Sequence, residues 1–182
     1  MSLLNVFDGP GLWHEAAYRL GEKVAESRGA IAYNMSGKLY HKSGSMGEWI
    51  MLSVPNALVH GVFSAMEEPG IELPPSGEGE RLEAHISVIR PDELLLIGGP
   101  EKLKNDRGNS FKYTIGRLAE VEPSGWPEIS KCWFLRVHSP ELQTLRRSYG
   151  LTSLPNDGKY DFHITVAVRR KGVLGRNDKS KV

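Results

Sequence analysis

Two tetrapeptides in this chain carry residues suited to phosphate chemistry: His85-Ile86-Ser87-Val88 and His163-Ile164-Thr165-Val166. Both read His, apolar, hydroxyl, apolar. Strict alternation is the pattern of a half-buried strand, whose successive side chains point to opposite faces. His85 and Ser87 therefore share one face, and His163 and Thr165 share another. Ile86, Val88, Ile164 and Val166 are expected in the core. Phosphodiester cleavage needs a base to activate the attacking oxygen and an acid to protonate the leaving one. An imidazole, with an unperturbed pKa of about 6.5, serves in either state near neutral pH. Two histidines facing one phosphate would supply both roles without a metal. The two hydroxyls would donate hydrogen bonds to its non-bridging oxygens. The duplication makes the two histidines equivalent in sequence and marks neither as acid or base.

The elements that must position these groups are duplicated too. Ahead of the first copy lie an apolar run from Trp49 to Val54, then Pro55, then a helical stretch from Asn56 to Met66. Ahead of the second lie Cys132 to Val137, then Pro140, then a helical stretch from Glu141 to Tyr149. Proline suits a helix's first turn. Leu58, Val62 and Met66 form one apolar stripe, and Leu142, Leu145 and Tyr149 form another. Each unit reads strand, helix, loop, His-x-Ser/Thr strand. Two copies suit two lobes of one domain, the period being too long for a solenoid.

This constellation resembles the two-histidine (2H) phosphoesterase superfamily. That group includes LigT-like RNA 2′,5′-ligases, 2′,3′-cyclic-nucleotide phosphodiesterases and phage enzymes that cut cyclic oligonucleotide signals. The resemblance covers roughly residues 48–170 and rests on the paired His-x-Ser/Thr motifs. It implies an α+β, bilobed, pseudo-two-fold fold, with two antiparallel sheets flanking a central cleft and helices outside. It also implies that His85 and His163 are catalytic and that Ser87 and Thr165 bind phosphate. The implied activity is metal-independent cleavage of a phosphodiester in a nucleotide substrate: a 2′,3′-cyclic phosphate, an RNA end or a cyclic oligonucleotide signal. The competing reading is a non-catalytic module that binds RNA ends or nucleotides on the same fold. A metal enzyme is disfavoured, because His and hydroxyl at i, i+2 make a poor ligand set.

The whole chain, 1–182, reads as one bilobed domain. Residues 1–47 are an N-terminal extension, 48–97 lobe one, 98–110 a connection, 111–170 lobe two and 171–182 a basic tail. The extension has no place in the family's minimal pattern and is a candidate lid over the cleft. Leu12, Ala16, Leu20 and Val24 predict a helix over 12–27. Residues 30–42 read as a weak hairpin turning at Asn34 to Gly37. The Gly-, Pro- and Glu-rich stretch from Glu67 to Glu80 reads as an exposed loop. A strand is expected from Ser110 to Glu122 and a tight turn over Pro155 to Gly158.

The net charge of +1 provides no global field to recruit nucleic acid, which favours a nucleotide or short RNA over a long duplex. Cys132 is the only cysteine, so intramolecular disulfides and cysteine-rich zinc sites are excluded. No stretch reaches the roughly 18 apolar residues that span a membrane, and no signal peptide is evident. The expected location is cytoplasmic, the host cytoplasm for a phage protein, and no cofactor or metal is expected. Further substrate-binding candidates are Arg169, which regular alternation puts on the face of His163, and Lys112 or Tyr113 on the strand opening lobe two. Tyr160 and Trp126 are candidates to stack a base. Trp133 and Cys132 are expected in the core. His14, His41, His60 and His138 lie outside both motifs.

Overall fold

The alternating apolar segments of this chain become strands, and the segments of helical period become the helices that cover them. The computed structural model describes residues 10–26, 33–44, 47–74 and 83–172. In chain order these are helix α1 (Pro10–Glu26), strands β1 (Tyr33–Gly44) and β2 (Gly47–Ser53), helix α2 (Asn56–Ser64), strand β3 (His85–Ile89) and helix α3 (Pro91–Leu96). Strands β4 (Ser110–Val121) and β5 (Ile129–His138), helix α4 (Pro140–Ser148) and strand β6 (Phe162–Arg170) follow.

The strands form one six-stranded antiparallel sheet in the order β3-β2-β1-β4-β5-β6. That order is symmetric: exchanging β1, β2 and β3 for β4, β5 and β6 reproduces it. The α+β units β1-β2-α2-β3 and β4-β5-α4-β6 are therefore two copies of one arrangement, joined where β1 pairs with β4 from Tyr33↔Ile115 to Lys38↔Ser110. The two expected sheets are continuous through this seam. The end strands β3 and β6 nevertheless come back alongside each other, with Cα atoms within 8 Å. Register shifts at Ile50/Met51, Ile115/Leu118 and Trp133/Phe134 bend the sheet that far, since each bulge adds a kink and extra twist.

The core lies on one face of this curved sheet. Leu58, Val59 and Val62 of α2 and Leu142 and Leu145 of α4 pack with Leu52, Ile86, Val88, Leu135, Ile164 and Val166. Helix α2 lies against β6 and α4 against β3, so each helix supports the other unit's His strand. Trp133 and Cys132 are buried as expected. Helix α1 packs on α2 at a glycine crossing. A Cβ on Gly21 would lie 2.3 Å from the Leu58 carbonyl, and one on Gly61 2.0 Å from the Tyr18 carbonyl. The buried face of α1 runs through Ala17, Gly21 and Val24, whereas Ala16 is exposed.

Two expectations for the first 47 residues change. Asn34 to Gly37 is not a turn; it lies inside β1, and Gly37 is required because a Cβ there would meet the Ser53 carbonyl at 2.1 Å. Nor is β1 part of a lid, because it is hydrogen-bonded between β2 and β4 in the middle of the sheet. Residues 1–9, 27–32, 45–46, 75–82 and the tail beyond Gly172 lie outside the described residues.

A buried ion pair ties the two units together. Arg146 of α4 is wholly buried and Glu93 of α3 nearly so. The guanidinium donates to both Glu93 oxygens at 2.9 and 2.7 Å, to the Val88 carbonyl at 2.6 Å, and to the Thr152 and Leu154 carbonyls. Glu93 accepts in addition the backbone N–H groups of Arg90 and Asn156. Burial would raise this carboxyl's pKa, but the Arg146 hydrogen bonds and charge, with these N–H groups, hold it below the usual carboxylate range. No helix among the described residues is long and apolar enough to cross a membrane.

Candidate active site

Alternation puts His85 and Ser87 on the sheet face opposite the core, because Ile86 and Val88 beside them are fully buried. Ile164 and Val166 do the same for His163 and Thr165. All four polar side chains are half-buried: anchored, yet open to a ligand. Strands β3 and β6 lie side by side, so the two pairs converge on the same region.

The two histidines are held identically. His85 Nδ1 lies 2.7 Å from the Glu83 carbonyl, and His163 Nδ1 lies 2.9 Å from the Asp161 carbonyl. A carbonyl oxygen only accepts, so each Nδ1 carries the proton and donates it. Each Nε2 is left to take or give a proton. The ring of His163 also meets Phe134 edge-on, with centroids 5.4 Å apart, which restrains its rotation. Burial pushes the His85 pKa down. The hydrogen bond to the Glu83 carbonyl opposes this, and the charges of Lys42 and His163 lower it further. The neutral form of His85 is thereby favoured near neutral pH.

The motif is longer than four residues. Both copies carry an acidic residue two places before the histidine: Glu83-Ala84-His85 and Asp161-Phe162-His163. In each, the backbone carbonyl fixes the imidazole while the carboxylate holds a cation. Lys42 Nζ of β1 lies 2.6 Å from Glu83, and Arg136 Nη1 of β5 lies 2.7 Å from Asp161. Arg136 stands directly opposite His163 in the β5–β6 register. Tyr40 pairs with Met51, which pairs with Ser87, so Tyr40 shares their face. Burial, then the Glu83 charge, pushes the Tyr40 hydroxyl up to about 12. Sequence reasoning missed Glu83, Asp161, Lys42, Arg136 and Tyr40. The repeated acid was visible in the sequence; the cations, arriving from two different strands, were not.

The remaining candidates fall out differently. Arg169 does not face the site. Between Phe134↔Thr165 and Trp133↔Ala167 strand β6 carries one extra residue, which reverses the alternation. Arg169 then lies over Trp133 at 5.0 Å, pairs with Glu68 at 3.0 Å and donates to the Pro69 carbonyl. Tyr113 is a core residue, 2% exposed, next to Ile115 in the same cluster. Lys112 is exposed, but it lies at the start of β4, where its N–H donates to Glu141 and its carbonyl accepts from Ser139. Trp126 is exposed in the β4–β5 turn, at the Arg170 end of β6 rather than the His163 end. Tyr160 is half exposed, immediately before Asp161, and is the one base-stacking candidate placed beside a histidine motif. Among the described residues no group of three His, Cys, Asp or Glu side chains is placed to hold a metal ion.

A family model described as "Swiss Army Knife, 2H phosphoesterase domain" matches residues 48–174. No curated protein and no solved structure matches the chain. The matched range contains both histidine motifs and leaves out β1, with Tyr40 and Lys42.

Proposed function

Because this chain belongs to the 2H phosphoesterase superfamily, we propose that it cleaves a phosphodiester bond in a nucleotide substrate without a metal, with His85 as base and His163 as acid. One observation carries the reading: each imidazole has its Nδ1–H tied to a backbone carbonyl, so both present Nε2 from neighbouring strands. The lowered pKa of His85 suits it to accept a proton at neutral pH.

In the proposed step His85 Nε2 takes a proton from the attacking oxygen, which bonds to phosphorus. Protonated His163 gives its Nε2 proton to the departing ribose oxygen as the P–O bond breaks. For a 2′,3′-cyclic phosphate the attacking oxygen is water. For a 3′,5′ linkage it is the neighbouring 2′-hydroxyl, and the product is cyclic. Ser87 and Thr165 donate to the non-bridging oxygens, where charge accumulates. Mounting all four groups on strands fixes their geometry before substrate arrives.

The test is a substrate panel with and without EDTA: 2′,3′-cyclic mononucleotides, an RNA ending in a 2′,3′-cyclic phosphate, a 2′,5′-linked oligomer, and cyclic di- and trinucleotides. Cleavage that survives EDTA and disappears in the His85→Ala/His163→Ala chain supports the proposal. Binding without turnover across the panel would replace it with a nucleotide-binding module. Turnover abolished by EDTA would replace it with a metal enzyme.

A further inference from the structure

The two ion pairs beside the histidines repeat in effect but not in origin. In the first unit the cation is Lys42 of β1, and in the second it is Arg136 of β5. Strands β1 and β5 are not equivalents under the duplication, β1 corresponding to β4 and β2 to β5. A cation beside each histidine motif therefore did not arrive simply by copying. Stability gives little reason for it, since half-exposed ion pairs contribute about 0–1 kcal/mol. The strand order puts the two cations on opposite sides of the histidines: β1 and β2 flank β3 on one side, and β5 and β4 flank β6 on the other. Each cation also bears on its histidine. The Lys42 charge lowers the His85 pKa, and Arg136 stands opposite His163. Beside Arg136 and Asp161 there is a surface hollow of about 360 Å³, lined also by Thr114, Gly116, Val137 and His138. That is the scale of a small-ligand site.

Resting on the reading of His85 and His163 as the reactive pair, we propose that Lys42 and Arg136 bind the phosphates on either side of the scissile one. The substrate is then an oligonucleotide, linear or cyclic, with phosphates flanking the bond that is cut, and one nucleoside sits in the hollow beside Arg136. Glu83 and Asp161 hold the cations at the edges of the site until phosphate oxygens take them up. The guanidinium fork suits bidentate phosphate binding, and the lysine acts as a point charge.

The experiment compares two 2′-O-methyl ligands of the same bases: a dinucleoside monophosphate, and a trinucleotide phosphorylated at both ends. Affinity for the full chain is measured by calorimetry over a range of salt. The expected result is tighter binding of the trinucleotide. Lys42→Met and Arg136→Met each weaken it about tenfold and lower its salt slope by about 0.7, while the dinucleoside, which lacks the flanking phosphates, loses less and keeps its salt slope. Lys42→Arg and Arg136→Lys retain the salt slope. Equal affinity of the two ligands in the unmodified chain would overturn the proposal. So would variants that weaken both ligands alike, which would mean that the cations only position the histidines, or variants without effect. The two readings fail separately. Binding as expected without turnover on any substrate leaves Lys42 and Arg136 standing as phosphate contacts of an oligonucleotide-binding site and removes the cleavage reading. Turnover of single-phosphate substrates with indifferent Lys42 and Arg136 does the reverse.

Discussion

Replacing Arg146 by Met tests the account of what holds the two units together. The wild-type guanidinium is fully buried, with its N–H groups on the two Glu93 oxygens and on three backbone carbonyls. Methionine fills much of the volume but leaves Glu93 a buried carboxylate held only by the N–H groups of Arg90 and Asn156. Stripping one partner from a buried pair costs about 3–5 kcal/mol. For a chain of this size that lowers the melting temperature by roughly 10 °C. Urea unfolding followed by circular dichroism at pH 7 measures the difference. The pH dependence supplies a sign. In the wild type the carboxyl is held below its usual range, so this contribution is present above the unfolded carboxylate pKa and is lost as pH falls through the folded one. In Arg146→Met burial dominates and raises that pKa, so acid relieves the defect and the gap between the two proteins narrows as pH falls. Adding Glu93→Gln should recover part of the loss at pH 7. A single variant within 1 kcal/mol of wild type, or a gap that widens in acid, would refute the reasoning. Because Val88 follows Ser87 on β3, kcat/KM of the folded variant should fall as well, through a displaced strand.

Other expectations follow from the same geometry. With His85 as base, the acid limb of kcat/KM lies below the ordinary histidine value, and Lys42→Met moves it upward toward about 6.5 by removing a nearby positive charge; a limb that stays put argues against His85 as base. Gly61→Ala drives a methyl against the Tyr18 carbonyl and should destabilise the α1–α2 packing by about 1–3 kcal/mol in thermal unfolding, whereas Gly158→Ala, with open space around it, costs only its positive-φ strain. Ser139→Ala removes the α4 cap on the Leu142 N–H together with a hydrogen bond to the Lys112 carbonyl, at a cost of about 1–2 kcal/mol by urea titration. Arg169→Ala should leave kcat and KM unchanged in the panel assay, since the bulge turns that side chain away.

The sequence by itself determined the strands and helices of the repeated unit and the identity of the groups that face away from the core. His85, Ser87, His163 and Thr165 could be placed because alternation is a local property: Ile86 and Val88 must be buried, so their neighbours must not be. The α4 start at Pro140 and the buried Trp133 followed from the same local rules. Tertiary structure decided whatever depended on partners distant in the chain. Gly37 resembles a turn residue until Ser53 is seen to approach it, and Arg169 follows the alternation until one extra residue in β6 reverses the face. Residues 33–44 look dispensable beside the repeated motif, yet β1 forms the seam of the sheet and brings Lys42 to Glu83 and to bear on His85. The physical reason is the range of each interaction. Burial periodicity acts over two to four residues and is written along the chain. Strand pairing, bulges and ion pairs between strands join residues dozens of positions apart, and they exist only once the strands have come together in the sheet.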